Sequence, residues 1–188
     1  VGIHVFATGG IGGVHRGADV TGDVSADLDA IARHPVVTVC AGAKAFLDLA
    51  RTLEYLETAG VPVLGWRHDW FPAFYTRSSG LPVPHRVETA GEVAATFRAR
   101  LTASVGILVA VPIPEAAELS AALIDDVLAE ALAECDRAGI TGAAVTPFVL
   151  GRISDATRGA SVPANLALAE HNALVAGEIA SALAEAVG

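Results

Sequence analysis

The chain contains no methionine, only two cysteines and few aromatic residues, which make up 5% of the sequence. Of its twelve Lys and Arg residues, one is Lys. Each shortage excludes something. Cys40 falls in a strand-like run and Cys135 in a helix-like run, so they form no metal or redox motif and are expected as a buried, reduced pair of a cytoplasmic protein. No signal peptide is visible, and no apolar run is long enough to span a bilayer. A net charge of -9 leaves no basic patch for nucleic acid, although a phosphorylated small molecule needs only a local site. A chain without methionine that opens on the strand-like Val1-Gly2-Ile3-His4-Val5-Phe6-Ala7 reads as part of a longer protein, with some of its fold upstream.

What is present is apolar and regular. The 188 residues are 53% hydrophobic, enough for one sizeable core. Buried-strand runs at Val1–Ala7, Val36–Cys40, Val61–Gly65 and Gly106–Val111 alternate with helical periodicity. Helices are expected from Ser25 to Arg33, Ala45 to Thr58 and Thr89 to about Ala103. Others should run from Ser120 to Ala138, from the cap and first-turn proline Thr146-Pro147 to about Thr157, and from Ser161 to about Val187. The order implies an α/β fold: a three-layer α/β/α sandwich with a mainly parallel central sheet, incomplete at its N-terminus, forming one domain over residues 1–188. Trp66, Trp70, Phe71, Phe74 and Tyr75 crowd a long turn-rich stretch, which reads equally as a lid or partner surface and as packing over the sheet edge.

Three stretches carry chemistry. Thr8-Gly9-Gly10-Ile11-Gly12-Gly13-Val14-His15-Arg16-Gly17 holds five glycines, which let a backbone approach a ligand closely. It is not a dinucleotide fingerprint, since His15 stands where the third glycine would fall, and no Gly-Lys-Ser/Thr makes it a P-loop. In Asp23-Val24-Ser25-Ala26-Asp27-Leu28-Asp29, Ser25 is a natural N-cap, and acidic residues in a first turn favour the helix dipole. That explains Asp27 and Asp29 but not Asp23, a loop carboxylate suited to Mg²⁺ or Mn²⁺. Exposed N–H groups at the same helix start suit a phosphate. Lys44 ends Val36-Val37-Thr38-Val39-Cys40-Ala41-Gly42-Ala43-Lys44, at the carboxyl end of a strand, where open α/β sheets keep their ligand sites. A sequence that otherwise uses Arg for every cation suggests a need for an amine there, because lysine can act as a nucleophile and arginine cannot.

Phe6–Gly17, Asp23–Leu28 and Cys40–Lys44 together resemble the pseudouridine-5′-phosphate glycosidase (indigoidine synthase A-like) family. Thr52–Gly65, Phe71–Tyr75, Pro112-Ile113-Pro114, Thr146-Pro147-Phe148 and Ala164-Asn165 continue the likeness in order. It covers essentially all of the chain and corresponds to the carboxyl-terminal three-fifths of the family. The resemblance implies Mn²⁺-dependent cleavage of the C–C bond joining uracil to ribose in pseudouridine 5′-phosphate, through a lysine imine, giving uracil and ribose 5-phosphate. Lys44 would be the nucleophile and Asp23 the Mn²⁺ ligand, with Mn²⁺ preferred to Mg²⁺. Ser25, Ala26 and Asp27 would contact phosphate or ribose, Thr8 and His15 the phosphate side, and Asn165 the uracil edge. The family's trimers imply a homotrimer. Its acidic catalyst, a glutamate near the family's amino terminus, and an upstream phosphate-contacting lysine have no counterpart here, so the isolated chain is expected to be inactive. Asp19-Val20-Thr21-Gly22 departs from the family's acidic-aromatic approach to the metal ligand, and Ala45 stands where serine is common. Two readings compete: a Schiff-base phosphosugar aldolase, which would share Lys44, and a non-catalytic fragment that binds sugar phosphates.

Overall fold

A computed structural model of the chain describes residues 2–100 and 102–185. Five strands, β1 (Val5–Ala7), β2 (Val37–Cys40), β3 (Val63–Trp66), β4 (His85–Val87) and β5 (Ile107–Ala110), form one sheet in the order β1-β2-β5-β3-β4. Every pairing is parallel, with Ala7 opposite Val39, Val39 opposite Val109 and Leu64 opposite Val109. All residues of β2, β3 and β5 are buried. Strands covered on both faces need apolar residues at successive positions, which is why these three read as continuous hydrophobic runs.

Helices α1 (Ala18–Thr21), α2 (Ala26–Arg33), α3 (Leu49–Thr58), α4 (Ala90–Arg98), α5 (Ala121–Ala138), α6 (Val145–Ala156) and α7 (Ser161–Glu185) complete the layers. On one face Val37, Val39, Leu64 and Val109 pack with Val93 of α4 and with Val175 and Ile179 of α7. On the other, Leu28 and Ile31 of α2 and Leu56 of α3 join a larger cluster with Cys40, Leu108 and Ala110. That cluster continues past the carboxyl ends of the strands to Ile124 and Leu128 of α5 and Val149 and Ile153 of α6. The arrangement is the α/β/α sandwich expected.

Several boundaries differ from expectation. The first strand begins at Val5, and its expected start at Val1 lies outside the described residues. Helix α3 begins at Leu49, after the Asp48 cap, because Phe46 and Leu47 are buried in the turn that precedes it. Helix α4 stops at Arg98, short of Ala103. Thr146 is not a cap: a 3-10 turn over Gly142–Ala144 runs straight into α6, so Thr146 and Pro147 lie in its first turn. Helix α7 is described to Glu185, and the expected end at Val187 lies beyond the described residues. The aromatic stretch packs inward. Trp66, Phe71, Phe74 and Tyr75 are buried, Trp70 is exposed, and the stretch ends in β4, a strand the sequence reading omits. The two cysteines are free and buried.

Candidate active site

The site is organised by residues 8–15, which leave β1 and run past the carboxyl end of β2. Thr8 N–H donates to Val39 O at 3.0 Å, Ile11 N–H to Gly42 O at 3.0 Å, and Lys44 N–H to Ile11 O at 3.2 Å. The Lys44 loop is therefore laced to the glycine loop by backbone bonds. On its other side the loop pairs with the approach to α2. His15 N–H donates to Asp23 O and Ser25 N–H to Gly13 O, both at 3.0 Å. Ser25 caps α2, its Oγ accepting from Asp27 N–H at 3.3 Å.

Glycine is required at two points. A β-carbon on Gly12 would overlap Ser25 Oγ and lie 3.1 Å from Asp27 Oδ2. Gly42 has φ of 73°, and a β-carbon there would overlap Pro72 O. Phe74, also left-handed at φ 61°, donates its N–H to Ala41 O at 3.0 Å and lays its ring against Gly10. A bulky residue in this region of backbone space is uncommon, and its strain is held by the packing around it. The aromatic stretch thus clamps both the glycine loop and the Lys44 loop.

Lys44 is half-buried, and among the described residues its ammonium forms no ion pair. His15 Nδ1 lies 3.7 Å from Asp23 Oδ2, with side chains 20% and 38% exposed. Among the described residues no group of three or more His, Cys, Asp or Glu could hold a metal ion. A hard cation that keeps several waters needs only one or two carboxylates, and Asp23 fits that description. Thr8, Ile11 and Asp27 line an open cleft of about 400 Å³. His15, Arg16, Thr21 and Asp23 line another of about 1010 Å³, closed on its far side by α5 and the turn after it. Lys44 and Asn165 line neither, although Asn165 Oδ1 lies 3.5 Å from where a β-carbon of Gly9 would stand. Ala26 is the exposed first residue of α2.

Two features escape the sequence reading. Asp27, expected to touch ligand, spends Oδ2 on Gly12 N–H at 2.7 Å. Asn172, noted only as a helix residue, is buried and donates to the carbonyls of Thr8 and Gly9. The signal for it is an amide on the apolar stripe of α7, between Leu168 and Val175. Burial raises the Cys40 thiol to about 12, with the Asp27 carboxylate adding to the effect.

The model of the indigoidine synthase A-like family matches residues 1–182, and the chain belongs to that family. It is 58% identical over 184 residues to a pseudouridine-5′-phosphate glycosidase of Methylobacterium nodulans, covering 97% of this chain and 55% of that relative. A second glycosidase of that name, from Caldanaerobacter subterraneus, is 56% identical over 181 residues, covering 95% of this chain and 59% of the relative. The crystal structure of the prealnumycin C-glycosynthase in complex with ribulose 5-phosphate superposes with a TM-score of 0.92 at 40% identity, over 98% of this chain and 62% of that one. An indigoidine synthase A-like protein of Thermotoga maritima gives 0.85 at 39% identity, over 95% of this chain and 59% of its own. The chain thus spans less than two thirds of the length of these proteins. No helix among the described residues is long and apolar enough to cross a membrane.

Proposed function

We propose that this chain carries the lysine-bearing part of a pseudouridine 5′-phosphate glycosidase, acting as a homotrimer. The observation that carries the reading is the lacing of the Lys44 loop, the glycine loop and the Asp23–Asp27 turn into one backbone network at the carboxyl ends of β1 and β2. The names of the relatives at 58% and 56% identity point the same way.

In this reading breaking C1′–O4′ opens the sugar ring and leaves C1′ doubly bonded to C5 of uracil. Lys44 Nζ then adds to C1′ as the π electrons move onto the uracil carbonyl. The bond from C1′ to C5 of uracil breaks as C5 takes a proton, and the resulting imine is hydrolysed by water to ribose 5-phosphate and free amine. An amine suits the cleavage because its nitrogen lone pair forms the C=N bond as the C1′–C5 electron pair leaves with uracil. The resemblance assigns the proton donor for C5 to sequence that these 188 residues do not contain. Asp23, with His15 beside it, would hold the Mn²⁺, whose charge offsets that of the phosphate when bound. Thr8, His15, Ser25 and Ala26 would face phosphate or ribose, Asn165 would read the uracil edge, and Asp27 would shape the loop as well as meet the sugar.

The test is borohydride trapping with ribose 5-phosphate on the chain extended to the length of its relatives, followed by peptide mass analysis. An adduct at Lys44 is expected, and its absence sinks the lysine mechanism. A second reading is favoured by the likeness to a C-glycosynthase: the same site forms a C–C bond between a sugar phosphate and an acceptor ring. Uracil release from pseudouridine 5′-phosphate, assayed with the chain extended to the length of its relatives, separates the two.

A further inference from the structure

The buried amide of Asn172 bonds in a way that ordinary core packing does not require. Asn172 lies midway along α7 and is 1% exposed. Its Nδ2 donates to Thr8 O at 2.8 Å and to Gly9 O at 3.2 Å, the latter oxygen also accepting from Ala41 N–H of the neighbouring loop at 2.8 Å. Its Oδ1 is buried and has no hydrogen-bond partner among the described residues. Turning the amide over would set that oxygen against two carbonyl oxygens, so the loop dictates the orientation even though one acceptor is left unpaired.

The consequence lies in the backbone. Carbonyls of successive residues in an extended strand point to opposite sides, whereas those of Thr8 and Gly9 converge on one nitrogen. Each peptide is planar and trans, so its N–H points opposite to its C=O. The N–H groups of Gly9 and Gly10 are therefore both directed away from Asn172 and α7. Neither donates to any group among the described residues. Val5, Ala7, Val37 and Val39 pack on the α7 side of the sheet, so Phe6 and Thr38 face the other side. There, with Thr8 and Asp27, they line the open cleft of about 400 Å³. Gly9 and Gly10 lie between Thr8 and Ile11, two of the residues that line this cleft. A side chain at 10 would intrude: a β-carbon on Gly10 would fall 2.5 Å from the Phe74 ring.

We propose that Asn172 is a positioning residue that, together with the Ala41 N–H on Gly9 O, holds the N–H groups of Gly9 and Gly10 as a paired donor cradle for a phosphate of the ligand. Adjacent backbone N–H groups aimed the same way form an anion-binding concavity. The proposal rests on the sugar-phosphate reading of the site.

The test is titration of the ¹⁵N-labelled chain, extended to the length of its relatives, with inorganic phosphate and with ribose 5-phosphate. Saturable movement of the Gly9 and Gly10 amide signals is expected. Asn172→Ala should weaken binding by about tenfold, a change that a structural role alone, lowering only the melting temperature, would not produce. Saturable shifts confined to His15 or the start of α2 would overturn the cradle and leave the sugar-phosphate reading standing. Absence of any saturable shift would overturn both. A folded Asn172→Ala with unchanged affinity would remove Asn172 from the role. If that variant does not fold, the isosteric Asn172→Asp stands in for it, its carboxylate facing the same two carbonyls. Unaltered Gly9 and Gly10 shifts in that variant would be equally fatal.

Discussion

Gly12 donates its N–H to Asp27 Oδ2 at 2.7 Å and faces Ser25 so closely that a β-carbon on it would overlap the serine side chain. One contact therefore ties the glycine loop to the first turn of α2, where a carboxylate is also favoured by the helix dipole. Gly12→Ala should cost about 1–3 kcal/mol, as overpacking does. Denaturant unfolding reads that directly, and calorimetry with ribose 5-phosphate should show weakened binding. An unchanged midpoint would mean that the loop yields freely at this point.

Lys44 should matter to chemistry and little to stability. Its half-buried ammonium has no ion-pair partner among the described residues. Lys44→Arg should leave unfolding within about 0.5 kcal/mol of the parent. Borohydride trapping should fail completely in that variant, because a guanidinium forms no imine.

Gly42 presents the opposite case. Its φ of 73° and its contact with Pro72 O leave no room for a side chain. Gly42→Ala should lose about 2 kcal/mol or more, from left-handed strain together with the clash. Because Lys44 lies two residues further on, trapping should fall as well in whatever protein remains folded.

The Cys40 thiol supplies a pH signature. Its pKa rises from 9.0 to about 12 by burial, so between those values the unfolded chain releases a proton that the folded chain keeps. The folded state binds more protons there, and stability falls as pH rises through that window, by at most about 1.4 kcal/mol per pH unit. Cys40→Ala should flatten this slope in urea titrations at successive pH values. At pH 8 the folded thiol should resist alkylation.

Thr89 and Glu92 form a capping box at α4, on the face of the sheet shared with α7. Thr89→Ala should cost about 1 kcal/mol of stability. Phosphate binding should stay as it was, so the variant serves as a control for general destabilisation.

The strands β2, β3 and β5 are legible in the sequence because burial on both faces demands an unbroken apolar run. Strand β4 is not: it has three residues, and His85 and Arg86 are exposed, so no period marks it. The capping box is legible because its bonds span only three residues. The start of α6 is not, because a preceding 3-10 turn takes over the work of a cap. The aromatic stretch is ambiguous in sequence, and packing against Gly10 and Ala41 resolves it as a clamp around Phe74.

For the candidate site, the sequence by itself marks the residue types: a lone lysine after a buried strand, a glycine-rich loop and a carboxylate ahead of a helix cap. These are matters of residue type and short spacing, and type sets nucleophilicity, backbone freedom and charge. Only the tertiary structure decides the geometry among them. Asn172 meets Thr8 across 164 positions of chain, and Thr52 accepts from Val14 N–H across 38. Hydrogen bonds between segments so far apart depend on how the sheet layers close. No local pattern records that closure.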